Sequence, residues 1–262
     1  MKALLTFALV LMISFGTKAQ EKAPSLYLLF EFMHVEGQNG NDYWQVENFW
    51  SGIHKQRVAD KTILGWDLWS LSPSGTQQGS QFLTVTLFSS LQNMLQAMNS
   101  LDVMGYAKKA YPKMTEKDLN AMFDKTVKSR DMANQVLLKQ VDVTKGEYTM
   151  KVGTMFTMDI MKQSDESYEK IESEIFKPWH EEMVKNGKKG SWALLRTILP
   201  AGDEAYGTHL TVSMYNDAAQ LAAFMEGGAG DMDLTTSLAV KEGLKSRAWK
   251  EVKIGTLQMM VR

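Results

Sequence analysis

Two stretches of the chain share one order of apolar and polar positions. Each begins with an apolar strand, at 26–35 and 151–161, and continues with a helix whose apolar residues recur every three or four positions. Two strands joined by a Pro/Gly turn, a second helix and a closing strand follow in both stretches. These later elements are predicted at 65–73, 81–88, 90–100 and 135–143, and again at 192–200, 208–215, 216–226 and 252–261. The pattern predicts the order βαββαβ twice.

The two stretches also match residue by residue. Residues 49–66 align with 175–192 at an offset of 126, which pairs Trp50 with Phe176, His54 with His180, Val58 with Val184 and Trp66 with Trp192. With one inserted residue, the turn 73–75 meets 200–202 and the strand 83–88 meets 210–215. A Lys-Ser-Arg triplet recurs at 128–130 and 245–247, after about ten extra residues in the first stretch. We interpret the chain as a tandem duplication with repeats at 20–143 and 146–262.

The order βαββαβ is that of the ferredoxin-like unit, so the predicted fold class is α+β. Such a unit has a four-stranded antiparallel sheet with helices on one face, and its other face needs a cover. Both faces of the first strand are apolar, with Leu28, Phe30 and Phe32 on one side and Leu29 and Met33 on the other. We expect the sheet of the second repeat to be the cover.

Two such units, each with the helix pattern Trp/Phe-x-x-x-His-x-x-x-Val, resemble the dimeric α+β barrel superfamily. That group includes the antibiotic-biosynthesis monooxygenase, haem-degrading and EthD-like proteins. The resemblance covers nearly all of 24–262 and implies a pseudo-dimeric α+β barrel with a cavity. It carries over no catalytic residue: haem-degrading members bind iron through a histidine of the second helix, and 90–100 and 216–226 contain none.

The first residues have the composition of a secretory signal peptide. Lys2 precedes an apolar stretch from Leu4 to Phe15, and Thr17-Lys18-Ala19 is a small-x-small cleavage signal. We expect residues 1–19 to be removed and the protein to be periplasmic or secreted. Cysteine is absent, which excludes disulfides, thiolate metal ligands and cysteine nucleophiles.

The charge of the chain points away from nucleic acid as a partner. Loss of Lys2 and Lys18 with the leader takes the formal net charge from −1 to about −3, and the remaining basic residues are dispersed. After Ala19 no apolar run approaches the ~18 residues of a membrane span, so we expect no stable membrane insertion. The oligomeric state stays open.

His54 and His180 are the repeated candidates for chemistry. A metalloprotease helix carries a second histidine four residues later, and Val58 and Val184 stand at those positions. We therefore expect no metal and no cofactor. Since both histidines neighbour aromatic residues and valines on the helix, we expect packing roles and keep them as secondary site candidates.

Polar residues inside strands are the primary candidates for a pocket. Glu31, Asp67, Arg196 and His209 stand where the other repeat has Thr157, Ala193, Ser70 and Phe82. Trp69 could add an aromatic wall, although tryptophan in a sheet is more often core. We expect Arg196 to lie within ion-pair reach of a carboxylate, for which Glu31 and Asp67 are candidates, or to face a solvent-filled cavity between the sheets. We also expect Arg196→Leu to change ligand binding or stability more than Arg57→Leu does. Strand periodicity does not tell which face is inside.

Three functions follow from these candidates. The leading hypothesis is an exported protein that binds a small apolar or aromatic molecule in a cavity between the two sheets. The second is a cofactor-independent oxygenase or isomerase with Glu31, Asp67 or His209 as its base. The third is a structural protein whose barrel is filled by its own side chains.

Overall fold

The computed structural model describes residues 26–75, 77–227 and 233–262. The expected signal peptide at 1–19 lies outside these residues. Within the described ranges, no helix is both long enough and apolar enough to cross a membrane.

Both repeats have the predicted order βαββαβ. The first repeat consists of β1 (Tyr27–His34), a 3₁₀ turn (Gly37–Asn39), α1 (Gly40–Ala59), β2 (Gly65–Ser72), β3 (Phe82–Phe88), α2 (Leu91–Ser100), α3 (Val103–Ala110), α4 (Glu116–Ser129) and β4 (Asp131–Val143). The second consists of β5 (Met155–Gln163), α5 (Tyr168–Ile171), a π-helical turn (Glu172–Phe176), α6 (Lys177–Lys185), β6 (Ser191–Leu199), β7 (His209–Tyr215), α7 (Ala218–Gly227), α8 (Leu234–Gly243), a 3₁₀ turn (Leu244–Ser246) and β8 (Arg247–Val261).

The eight strands form one closed antiparallel barrel in the order β1-β3-β2-β8-β5-β7-β6-β4. Each repeat contributes four neighbouring strands, β4-β1-β3-β2 and β8-β5-β7-β6, as in a ferredoxin-like sheet. The sheets join edge to edge where β2 pairs with β8 and β4 pairs with β6. Closure leaves no unpaired edge among the described strands. The predicted fold class is confirmed.

The two junctions are equivalent, since each joins the second strand of one repeat to the last strand of the other. At one junction Trp66 lies opposite Val261, and at the other Ala193 lies opposite Val143. The barrel therefore has pseudo-twofold symmetry. The last strand of each repeat therefore pairs with the first strand of its own repeat and with the second strand of the other.

Successive strand residues point alternately into the barrel and toward the helices. The interior cluster contains Leu28, Phe30, Phe32, Trp69, Leu71, Leu83, Val85, Leu138, Phe156, Met158, Ile160, Leu195, Leu210, Val212 and Leu257. In the first repeat the outer face, with Leu29, Met33, Trp66, Leu68 and Phe88, packs against α1 and α2 through Tyr43 and Met94. Apolar residues on both strand faces thus serve two separate cores.

Helices α3 and α4 give the first repeat an additional helical layer that the sequence pattern did not predict. They pack on α1 through Phe49, Ile53, Ala107 and Leu119. The hydroxyl of Tyr111 donates a 2.9 Å hydrogen bond to the carbonyl of Phe49. The helix α8 was also missed.

Candidate functional site

A cavity of about 480 Å³ lies inside the barrel, beneath the connection between β4 and β5. Its walls are mainly apolar and include Leu28, Phe30, Trp69, Phe156 and Met158. The barrel is therefore not filled by its own side chains, as the third hypothesis required. A pocket of this size and lining suits a small apolar molecule.

Aromatic rings form one wall of this barrel cavity. Trp69 is 2% exposed and packs against Phe156 with ring centroids 4.7 Å apart. The ring of Phe156 lies directly over Gly255, where a Cβ atom would collide with it. The absence of a side chain at Gly255 thus lets the aromatic wall form.

Asp67 brings a charge to the barrel cavity. It is 3% exposed and forms an ion pair with Arg262, whose Nη1 and Nη2 lie 2.8 and 2.9 Å from Oδ1 and Oδ2. Burial raises the pKa of the Asp67 carboxyl, and Arg262 opposes that rise. Both residues line the cavity, so the pair can orient a polar group of a bound molecule.

A second cavity, of about 410 Å³, lies between α1 and the outer face of the first repeat's strands. We call it the helix-side cavity. Glu31 lines it and accepts hydrogen bonds from Thr84 Oγ1 (3.1 Å) and Gln135 Nε2 (3.0 Å). The carboxylate of Glu31 thus points away from the barrel interior and toward α1.

His54 and Arg57 of α1 face the same helix-side cavity. The imidazole of His54 stacks on Trp66, and its Nδ1 lies 3.2 Å from Nη1 of Arg57. Burial lowers the pKa of His54 well below its usual value, and the Arg57 charge lowers it further. His54 is therefore neutral at pH 7.

Each repeat buries a glutamate–arginine ion pair beneath its first helix. Glu47 pairs with Arg130 in the first repeat, and Glu172 pairs with Arg247 in the second. Burial raises the pKa of Glu47 to about 7, against the opposing effect of Arg130. The arginines belong to the recurring Lys-Ser-Arg triplets.

In the second repeat, a lysine lies beside the histidine that corresponds to His54. His180 stacks on Trp192, and Lys189 Nζ lies 3.0 Å from His180 Nδ1 and 3.1 Å from Ser213 Oγ. Three aromatic rings surround the ammonium group, with the ring of Phe224 4.7 Å away. Burial lowers the pKa of Lys189 to about 8.

Arg196 and His209 lie on the outer face of the second repeat, not in the barrel. Glu169 of α5 forms an ion pair with Arg196 and lies 2.9 Å from His209 Nε2. Burial lowers the pKa of His209, and the charge of Glu169 opposes that shift. Arg196 therefore lies within ion-pair reach of a carboxylate, as predicted, but its partner is Glu169 and not Glu31 or Asp67.

The five primary candidates therefore occupy three places. Asp67 and Trp69 line the barrel cavity, Glu31 lines the helix-side cavity, and Arg196 and His209 line a shallow cleft beside α5. The secondary candidate His54 shares the helix-side cavity with Glu31. Strand alternation explains the separation, because positions 31, 196 and 209 have the helix-facing parity and 67 and 69 the interior parity.

Sequence reasoning missed Glu47, Arg57, Glu172 and Lys189. A signal for two of them exists: a tyrosine followed four residues later by a glutamate occurs at 43–47 and at 168–172. These two pairs are 125 positions apart, whereas the residues that follow them match at 126. The π-helical turn of the second repeat accounts for the one extra residue. Arg57 was treated as an ordinary helix position, whereas it is 5% exposed.

Metal ligands are a separate question. Across 26–75, 77–227 and 233–262, no three His, Asp or Glu side chains converge as a metal site would require.

No protein-family model matches the chain, and no curated protein matches it in sequence. Solved structures do resemble it. A protein of Fusobacterium nucleatum provisionally named a monooxygenase has a TM-score of 0.57 at 9% identity, over 92% of this chain and 95% of its own. One of Lactobacillus acidophilus with the same provisional name has 0.54 at 8%, over 91% and 96%. An anthrone oxidase-like protein has 0.52 at 12%, over 90% and 92%.

Identities of this size show a shared fold and leave activity open. The similarity spans both repeats of this chain and nearly the whole of each neighbour. Together with the closed eight-stranded barrel and its paired ferredoxin-like sheets, it shows that the chain has the fold of the dimeric α+β barrel superfamily.

Proposed function

We propose that the protein binds a small apolar or aromatic molecule in the barrel cavity. The observation that carries the proposal is the space of about 480 Å³ among Phe30, Trp69, Phe156 and Met158. Removal of apolar surface from water drives such binding, at about 25 cal/mol per Å². The Asp67–Arg262 pair supplies a polar contact for one end of the molecule. Export to the periplasm or medium, expected from residues 1–19, belongs to this proposal.

A cavity-filling substitution tests it. Ala193 lines the barrel cavity, and Ala193→Phe places a ring in the space that the ligand would take. We expect the uncharged probe Nile red to bind the unchanged protein and to bind the Ala193→Phe variant at least tenfold more weakly. The matched control is Val127→Phe, because Val127 is 79% exposed on α4. Equal affinity in all three proteins would contradict the proposal.

An oxygenase or isomerase is the second candidate, and the helix-side cavity favours it. Glu31 lies there with its carboxylate held by Thr84 and Gln135, in the position of a base beside apolar walls. Two structural neighbours are provisionally named monooxygenases, and a third is anthrone oxidase-like. These likenesses support the candidate as analogy only.

Oxygen uptake separates the two functions. Anthrone is a suitable substrate, since a base can remove its acidic C–H proton before oxygen reacts, giving anthraquinone and water from anthrone and O₂. An enzyme of this kind would consume oxygen with anthrone present and lose most of that rate in Glu31→Gln. Uptake no faster than the buffer rate would leave the binding function as the supported one.

A further inference from the structure

Arg57 is a buried cation without a carboxylate partner in the described part of the chain. It is 5% exposed, and its one side-chain hydrogen bond joins Nη1 to His54 Nδ1 at 3.2 Å. Its Nε atom is buried and has no hydrogen-bond partner among the described residues. A buried charge is costly unless an opposite charge and hydrogen bonds compensate it. This arginine therefore has unused capacity to bind an anion.

The carboxylates nearby are already engaged. Glu47 forms its ion pair with Arg130, and Glu31 accepts from Thr84 and Gln135 without forming an ion pair to Arg57. His54 cannot compensate either, since it is neutral and lies against the same guanidinium. The charge of Glu31 raises the pKa of Arg57 across the cavity, but burial still lowers that pKa below its usual value. Arg57 lines the helix-side cavity, so an anion bound there can contact it.

The second repeat places a cation beside its histidine without an arginine on the helix. Met183 stands at the position equivalent to Arg57 and is 3% exposed. There Lys189 contacts His180 instead, enclosed by the rings of Trp179, Tyr215 and Phe224. A cation can thus contact the histidine while three aromatic rings and the Ser213 hydroxyl surround it. Arg57 differs because it also lines a cavity of about 410 Å³.

The helix-side cavity has apolar and aromatic walls formed by Trp50, Trp66, Phe88, Met98 and Leu101, and its remaining walls carry the Glu47–Arg130 ion pair and polar side chains such as Thr86 and Thr126. Guanidinium groups bind carboxylates through charge-assisted hydrogen bonds, often two in parallel, and Arg57 lines this cavity. We propose that the helix-side cavity binds a small carboxylate with an apolar or aromatic body, and that Arg57 is its ion-pair partner. Glu31 offers an acceptor in the same cavity, so a hydroxyl group on the ligand gains a second contact.

The site is distinct from the barrel cavity and does not depend on the function proposed there. The probes are benzoate, 4-hydroxybenzoate and hexanoate, with benzyl alcohol as the uncharged comparison, measured by isothermal titration calorimetry. At least one carboxylate should bind at least tenfold more tightly than benzyl alcohol. Because Arg57→Met removes a charge-assisted contact, it should weaken the binding of that carboxylate by about tenfold or more and leave the binding of benzyl alcohol unchanged.

Arg57→Met introduces the residue that the second repeat buries at this position, where Met183 is 3% exposed. Arg57→Lys keeps the charge without the bidentate geometry, so its carboxylate affinity should lie between those of the unchanged protein and Arg57→Met. The matched control is Lys55→Met, which removes an exposed cation from the same helix and should bind as the unchanged protein does. Ala193→Phe, which fills the barrel cavity, should leave carboxylate binding unchanged.

Three results would overturn the proposal. The first is that none of the three carboxylates binds the unchanged protein, and the second is that Arg57→Met binds them as well as the unchanged protein does. The third is that Ala193→Phe loses carboxylate binding whereas Arg57→Met retains it, which would place the ligand in the barrel instead.

Discussion

His54 lies flat against Trp66, with ring centroids 4.8 Å apart and planes inclined by 17°, and His180 repeats this contact on Trp192 at the same distance and angle. The cation beside each histidine comes from a different place. Arg57 of α1 contacts His54, whereas Lys189 of the loop before β6 contacts His180. The two repeats have thus kept a stacked neutral histidine with a cationic neighbour while changing the residue that supplies the charge.

Acid should destabilise the fold through these histidines. Their folded pKa values lie well below 6.5, so below about pH 6.5 the unfolded chain binds protons that the folded chain does not. Stability is therefore lost as the pH falls from 6.5, by up to about 1.4 kcal/mol per pH unit for each histidine. Urea denaturation at pH 7.5, 6.5 and 5.5 measures this loss. The variant His54→Gln/His180→Gln should show a smaller loss, and an identical pH dependence would refute the prediction.

Breaking the buried Glu47–Arg130 pair should cost more than removing it. Arg130→Met leaves Glu47 buried without its partner, which predicts a loss of about 3 kcal/mol in the free energy of unfolding. The double variant Glu47→Met/Arg130→Met removes both charges and should recover much of that loss. The control Lys108→Met breaks an exposed pair with Glu116 and should cost less than about 1 kcal/mol. A double variant less stable than Arg130→Met would contradict this account.

Because of Lys189, the protein should become more stable as the pH rises above about 8. Its pKa is about 8 in the folded chain and 10.5 in the reference state, so the unfolded chain binds the extra proton between these values. Stability then rises with pH from about 8 to 10.5, by about 3 kcal/mol over the whole window. Denaturation of the unchanged protein and of Lys189→Met at pH 7.5, 9 and 10 tests this difference. Lys185→Met, on the exposed end of α6, should keep the rise. A rise of equal size in Lys189→Met would count against the assignment.

Neither repeat should fold as a soluble monomer. In isolation β2 and β4 lose their partners β8 and β6, and the interior residues Phe30 and Trp69 become exposed to water. We expect residues 20–143 and 146–262, expressed separately, to aggregate or dimerise, and their mixture to recover barrel structure. Size-exclusion chromatography with light scattering measures the outcome. A cooperatively unfolding monomer from either half would disprove the prediction.

Strand order and repetition were predictable because both depend on local spacing. The turns at 73–75 and 200–202, the period-two strands and the matching Trp66 and Trp192 occur at fixed distances along the chain. Each unit has an apolar sheet face that needs a cover, so the pairing of the two repeats also followed. The resemblance to the dimeric α+β barrel superfamily added the barrel, which the structure confirms.

The location of each polar candidate was not predictable, because its strand is apolar on both faces. Leu28 and Leu29 are equally hydrophobic, yet one faces the barrel and the other faces the helices. Position 67 therefore became an interior carboxylate, while positions 31, 196 and 209 became helix-facing. A one-residue change of parity would have reversed all four assignments.

Three further features became clear only in the structure. The Asp67–Arg262 pair joins residues 195 positions apart, and it exists because β2 pairs with β8 across the barrel closure. The π-helical turn moves Glu172 into the place that Glu47 holds, although the sequence alignment sets Glu47 against Ser173. Arg57 occupies an ordinary helical spacing, and its burial beside a cavity arises only when α1 settles on the sheet and α3 and α4 cover it.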